Sequence, residues 1–113
     1  MPAALYNAYV TGSAGSNIVL FYVDDEIIAG IDAGTGKYRG VARRLPNGGL
    51  RVILQLTVAH GQPLLTGGVA EADMKPIPIE FELPAGFDDG AMTVLIRTPI
   101  GPVNARFEKL MDI

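Results

Sequence analysis

The feature that most constrains this chain is a succession of apolar, β-branched segments separated by Pro and Gly. It is clearest over residues 76–110, where three such segments, 76–83, 91–98 and 103–110, are separated by Pro- and Gly-containing links. Short runs rich in Val, Ile and Phe with Pro or Gly at both ends are typical of β-strands. The pattern therefore predicts three consecutive strands at the end of the chain.

The same pattern predicts five earlier strands, at residues 5–10, 17–23, 26–32, 37–45 and 50–58. The link between the last two contains Asn47-Gly48, which is a strong signal for a tight hairpin.

Alternation within the predicted strands indicates which side chains face the core. In the fifth strand, Val52, Leu54 and Leu56 alternate with polar residues such as Gln55. The inward positions of the last three strands are predicted to be Ile77, Ile79, Phe81 and Leu83, then Met92, Val94 and Ile96, then Val103, Ala105 and Phe107.

Three arrangements can accommodate eight sequential strands: an up-and-down barrel, an open sandwich, or a long twisted meander. Closure into a barrel is favoured because it removes unpaired strand edges. Pro76 and Pro78 cannot donate ladder hydrogen bonds, so the sixth strand is expected to begin at an edge or a bulge. We expect one all-β domain over residues 1–113, an eight-stranded antiparallel up-and-down barrel. The long connection 60–75 leaves room for at most one short helical turn, at residues 69–74.

Composition argues against several functions. The chain has no Cys and one His, so a Cys–His pair and a His-rich metal site are excluded, and no other nucleophile–base pair stands out. The net charge of −3 argues against a nucleic-acid-binding domain. No apolar run is long enough to span a membrane, and the first residues do not resemble a signal peptide. We expect a cytoplasmic, non-enzymatic protein with no cofactor or metal.

Two kinds of candidate site remain. Asp32 follows Gly30 at a strand end, where it either faces a ligand or interface or caps a turn. The bulky aromatic residues of the strands either line a ligand cavity or fill the core, since a barrel of eight strands can do either. These residues are Tyr9, Phe21, Tyr38, Phe81 and Phe107.

Other groups of charged residues have either a binding or catalytic role or a purely structural one. Lys37, Arg39, Arg43 and Arg51 form a basic stripe that either binds an anionic partner or is solvated and paired with Glu80 and Glu82. The acidic groups at 24–26 and 88–89 either form turns or bind a cation, and His60 is either a surface residue or a general base.

The order Gly30-x-Asp32, then Tyr38-x-Gly40, resembles a pattern of the GrlR-like family, small bacterial negative regulators of type III secretion. The final segment, 103–110, is similar to that family's last strand. The resemblance implies a lipocalin-like barrel, a homodimer, an apolar cavity and a regulatory protein partner. The family's named regulator contacts its partner through an acidic loop between two strands. The corresponding residues here, 45–50, contain no acid.

From these observations we expect a regulatory interaction protein that binds a protein partner such as a transcriptional regulator, and a small apolar ligand. The alternative is a carrier of a small hydrophobic molecule, as in lipocalins.

Overall fold

The computed structural model describes residues 3–34, 36–59, 61–62, 67 and 76–113. These residues form eight strands and no helix. The strands are β1 (Ala4–Gly12), β2 (Gly15–Val23), β3 (Ile27–Asp32), β4 (Lys37–Arg44), β5 (Leu50–Thr57), β6 (Ile77–Leu83), β7 (Asp89–Thr98) and β8 (Gly101–Asp112). The helical turn predicted at 69–74 lies outside the described residues. No helix in the described part of the chain is long and apolar enough to cross a membrane.

The strands form one antiparallel sheet in the order β6-β5-β4-β3-β2-β1-β8-β7. Strands that are consecutive in sequence are therefore paired, except β6 and β7, and the first strand pairs with the last, which rolls the sheet up. Strands β6 and β7 are the two edges, and the barrel is nearly closed between them. The predicted up-and-down barrel is confirmed, and so is the edge position of the sixth strand, which contains Pro78.

Apolar and polar residues alternate along the strands, and the apolar ones face the interior of the barrel, as predicted. In β5, Val52 and Leu54 are buried, whereas Gln55 between its apolar neighbours is exposed. In β6, Ile77, Ile79 and Leu83 are buried and Glu80 and Glu82 are exposed. The basic stripe predicted on the outside is present, and within it Arg51 pairs with Glu80.

Asn and Asp side chains, together with a glycine of positive φ, stabilise the turns. In the β4–β5 hairpin, Asn47 Oδ1 accepts the Gly49 N–H at 2.8 Å, and Gly48 has a φ of 87°, which an L-residue adopts only with strain. In the β2–β3 turn, Asp24 Oδ1 accepts the N–H groups of Glu26 and Ile27, each at 2.8 Å. The turn predictions at both places are confirmed.

One end of the barrel is closed by apolar side chains. The turns that connect β2–β3, β4–β5 and β6–β7 lie at this end, because consecutive connections alternate between the two ends of an up-and-down barrel. Phe87, from the β6–β7 turn, is 3% exposed and packs against Tyr6 and Phe107, with ring centroids 5.8 and 6.0 Å away. The other end, where β1–β2, β3–β4 and β7–β8 connect, is called the open end below.

Gly30 in the middle of β3 lies between two aromatic residues. It is paired with Phe21 on one side and Tyr38 on the other, with no break in register. A Cβ at Gly30 would lie 2.6 Å from Phe21 Cδ1, so only glycine leaves room for that ring. The rings of Phe21 and Tyr38 meet edge to face, with centroids 5.4 Å apart. Gly30 therefore permits a close approach of the Phe21 ring, and β3 has no bulge at this position.

Candidate ligand-binding cavity

A cavity of about 110 Å³, partly open to solvent, lies inside the barrel at the open end. Its wall is mainly apolar and aromatic, and its described lining residues include Val19, Leu54, Ile79, Ile96 and Val103. A concave apolar site with a few polar groups is the usual form of a small-molecule site. The barrel is therefore neither fully packed nor a wide channel.

Four of the five predicted aromatic residues line this cavity: Phe21, Tyr38, Phe81 and Phe107. Phe107 stacks near Phe21 and Phe81, with centroids 6.2 and 6.5 Å apart. The three phenylalanines also border a second void of about 10 Å³ toward the closed end. They therefore form the floor of the larger cavity.

The prediction that Tyr9 lines the cavity is wrong. Tyr9 is 38% exposed on the outer face of β1, where the Arg106 guanidinium carbon lies 5.4 Å from its ring centroid. Tyr6 is the inward-facing aromatic residue of β1, because it has the same strand parity as Ala8. The strand is rich in apolar and aromatic residues, as expected, but Tyr9 lies on its outer face and not on its inner face.

Asp32 lies at the mouth of the cavity, at the end of β3. Its Oδ1 accepts the Gly36 N–H at 2.7 Å, and its Oδ2 accepts the Tyr38 hydroxyl at 2.8 Å. The carboxylate caps the β3–β4 connection and also lines the cavity, so the structure combines the two expected positions. Burial, the negative charge of Asp32 and this hydrogen bond raise the pKa of Tyr38 well above its ordinary value of 10.0, so the hydroxyl remains a donor.

Gly36 allows this contact because a Cβ there would collide with the Asp32 carboxylate. Gly40, the last residue of the predicted motif, lies on β4 where a Cβ would collide with the Ile53 carbonyl oxygen of β5. The motif residues Gly30, Asp32 and Tyr38 thus lie close together near the cavity. Gly40 instead allows β4 to pack closely against β5.

Three further polar residues line the cavity and were not predicted: Asn17, Gln62 and Thr98. Asn17 Oδ1 accepts the N–H groups of Ile18 and Ala33 at 2.8 and 3.2 Å. Thr98 Oγ1 donates to the Gly101 carbonyl oxygen at 2.6 Å. Strand parity could have identified two of them, because Asn17 shares a face with Val19 and Thr98 shares one with Ile96.

The remaining candidates do not form a site in the described residues. Asp24 and Asp89 accept backbone N–H groups within their own turns. No group of three or more His, Asp or Glu in the described ranges could hold a metal ion. His60 lies outside the described residues.

No protein-family model, curated protein or solved structure matches this chain. The resemblance to the GrlR-like family therefore stays a prediction.

Proposed function

We propose that this protein is a ligand-binding barrel that holds a small apolar molecule in the cavity at its open end. The observation that carries the proposal is the cavity of about 110 Å³, because aromatic and aliphatic side chains surround it in an otherwise packed interior. An engineered cavity of about 150 Å³ lined by similar residues binds benzene. A ligand no larger than benzene is therefore expected in this barrel.

A pair of adjacent residues in β5 provides a sharp test. Leu54 is buried and lines the cavity, whereas Ile53 is 46% exposed on the outer face. Leu54→Phe adds volume inside the cavity, and Ile53→Phe adds the same groups outside it. Calorimetric titration with 1-pentanol is expected to show binding to the wild type and to Ile53→Phe, and at least about tenfold weaker binding to Leu54→Phe. Equal binding by the two variants, or no binding by the wild type, contradicts the proposal.

A second candidate function is binding of a regulatory protein partner, as the GrlR-like resemblance implies. It is favoured by an apolar row on the outside of the barrel, formed by Ile27, Val41 and Ile53, which are direct cross-strand neighbours on β3, β4 and β5. Their exposed fractions are 45%, 54% and 46%. Exposed apolar residues that form a continuous patch mark interaction surfaces more often than single ones do.

The charge around this row favours a partner with an acidic, apolar surface. Lys37, Arg39 and Arg43 lie on the outer face of β4 and form no ion pair with a described residue. An acidic partner would pair with these cations while covering the row, so electrostatic complementarity would guide its orientation.

Two substitutions of equally exposed residues test this second function. Val41→Glu introduces a negative charge into the row. Leu95→Glu is the control, because it introduces the same charge outside the row, on β7, where Leu95 is 51% exposed. In affinity capture, the wild type and Leu95→Glu should retain a partner, whereas Val41→Glu should not. Binding of the partner by the wild type should weaken at high salt. Identical capture by both variants contradicts the proposal. Light scattering tests whether the row instead joins two copies of this chain, in which case a dimer dissociates in Val41→Glu only.

A further inference from the structure

The ligand that the cavity selects can be inferred from the charge and hydrogen bonding at its mouth, if the proposed function holds. Asp32 is half-buried there, and its position is fixed by the Gly36 N–H at 2.7 Å and the Tyr38 hydroxyl at 2.8 Å. A carboxylate has about four lone-pair positions, two on each oxygen. These two bonds use one position on each oxygen, so the described donors leave further acceptor positions on both.

Two other described polar groups of the lining have partners already, and Gln62, the third polar residue there, is uncharged. The amide oxygen of Asn17 accepts two N–H groups, and the hydroxyl of Thr98 bonds within the β7–β8 turn. None of the described lining residues is Lys or Arg, and no described cation forms an ion pair with Asp32. The described part of the cavity thus combines an apolar interior with one negative charge at its mouth.

This combination discriminates between ligands of equal size. An ammonium group next to Asp32 would form a charge-assisted hydrogen bond, which is roughly twice as strong as a neutral one. A ligand carboxylate in the same place would bring two negative charges together in a partly desolvated site, at a large cost. Specificity of this kind comes from rejecting the wrong charge as much as from binding the right one.

The aromatic wall and the volume support a cationic ligand with a short apolar body. The face of an aromatic ring attracts a cation, and the ring of Tyr38, whose hydroxyl bonds to Asp32 at the mouth, also lines the cavity. It meets Phe21 of the cavity floor, with centroids 5.4 Å apart. The volume of about 110 Å³ is somewhat smaller than that of the cavity that accepts benzene. We propose that the cavity binds a small alkylamine of about six heavy atoms, with its ammonium group on the Asp32 carboxylate and its apolar body directed toward Phe107.

The test compares n-pentylamine, 1-pentanol and pentanoate by calorimetric titration of the full chain. The wild type is expected to bind pentylamine at least about tenfold more tightly than pentanol, with pentanoate the weakest. Asp32→Asn should remove the preference for the amine while leaving pentanol binding. The matched control is Asp24→Asn, because Asp24, like Asp32, accepts backbone N–H and a tyrosine hydroxyl but lies at the closed end. Its donors are the N–H groups of Glu26 and Ile27 and the Tyr22 hydroxyl, the last at 2.9 Å. The control should keep the preference.

The outcomes separate this inference from the proposed function. Binding of pentanol without a preference for pentylamine, or a preference that survives in Asp32→Asn, overturns the inference and leaves the ligand-binding barrel standing. Absence of binding by all three compounds overturns both.

A second measurement uses only the wild type and does not depend on how the variants fold. Nuclear Overhauser contacts from the α-methylene of pentylamine should reach the Gly36 amide, and those from its terminal methyl should reach Phe107. The reverse orientation overturns the inference.

Discussion

The Tyr38 hydroxyl donates a hydrogen bond of 2.8 Å to Asp32 Oδ2 at the mouth of the cavity. A similar pair, Tyr22 and Asp24 at 2.9 Å, lies on the outside at the closed end. The two pairs have the same chemistry but different surroundings, because Tyr38 lines the cavity inside the barrel whereas Tyr22 lies on the outer face of β2. The barrel thus contains an internal control for what burial adds to one hydrogen bond.

Removal of the Tyr38 hydroxyl should destabilise the barrel more than removal of the Tyr22 hydroxyl. Tyr38→Phe leaves Asp32 without one of its two described donors, and we expect a loss of about 1–2 kcal/mol in the free energy of unfolding. Tyr22→Phe removes a bond that competes with water, so its effect should be smaller. Urea denaturation of both variants measures the difference, and a larger loss in Tyr22→Phe would show that the Tyr38–Asp32 bond is not the stronger one.

The raised pKa of Tyr38 predicts how stability depends on pH. Burial and the charge of Asp32 hold the proton on Tyr38 in the folded barrel, whereas the unfolded chain releases it near the ordinary value of 10.0. Above that pH the unfolded state binds fewer protons, so the contribution of Tyr38 to stability is complete below pH 10 and decreases as the pH rises.

Phenolate absorbance measures this directly. The wild type and Tyr38→Phe should give equal absorbance up to the pH at which the barrel unfolds, because Tyr38 does not ionise in the folded state. An additional phenolate signal in the folded wild type near pH 10 would refute the prediction.

Gly40 should be intolerant of any side chain. A Cβ there would collide with the Ile53 carbonyl oxygen and lie 2.5 Å from Leu54 Cα, and both atoms belong to the backbone of β5. We expect Gly40→Ala to cost about 2–3 kcal/mol of stability, as overpacking does elsewhere. Gly34→Ala is the control, because the nearest described atom to a Cβ there, Asp32 Oδ1, is 3.5 Å away. Thermal unfolding of both variants checks this, and equal melting temperatures would contradict it.

Tyr6 carries the one buried side-chain polar atom without a hydrogen-bond partner in the described part of the chain. Its ring is 1% exposed and packs against Phe87, so the ring contributes to the core while the hydroxyl costs free energy. Tyr6→Phe should therefore raise the free energy of unfolding by about 1–2 kcal/mol. This is the opposite sign from Tyr38→Phe, and a loss of stability in urea denaturation would show that the Tyr6 hydroxyl has a partner.

Much of the fold could be predicted because its signals are local. Alternating apolar and polar residues indicate strands, and Pro and Gly indicate the turns between them. Asn47-Gly48 predicted its hairpin, and the strand segments predicted the barrel. The outer ends of β1 and β8 were missed, because β8 continues to Asp112 through residues that are exposed and carry no core pattern.

The site was less predictable from the sequence. In β1, Leu5, Tyr6, Ala8, Tyr9 and Val10 are apolar or aromatic on both faces, so hydropathy could not tell that Tyr6 points inward and Tyr9 outward. Asp32 was recognised as a candidate, but its contact with Tyr38 depends on the pairing of β3 with β4. The polar residues of the cavity come from separate strands, and only the closed barrel brings them together.

The most direct test of the central claim is a methyl NMR titration of the wild-type protein with 1-pentanol. The account predicts saturable shifts for the inward-facing Val19, Leu54 and Ile96, which line the cavity. The outward-facing Ile27, Val41 and Ile53 should remain unchanged. Saturable shifts confined to the outer methyl groups, or none at any concentration, would contradict the claim that the open end of this barrel is a ligand site.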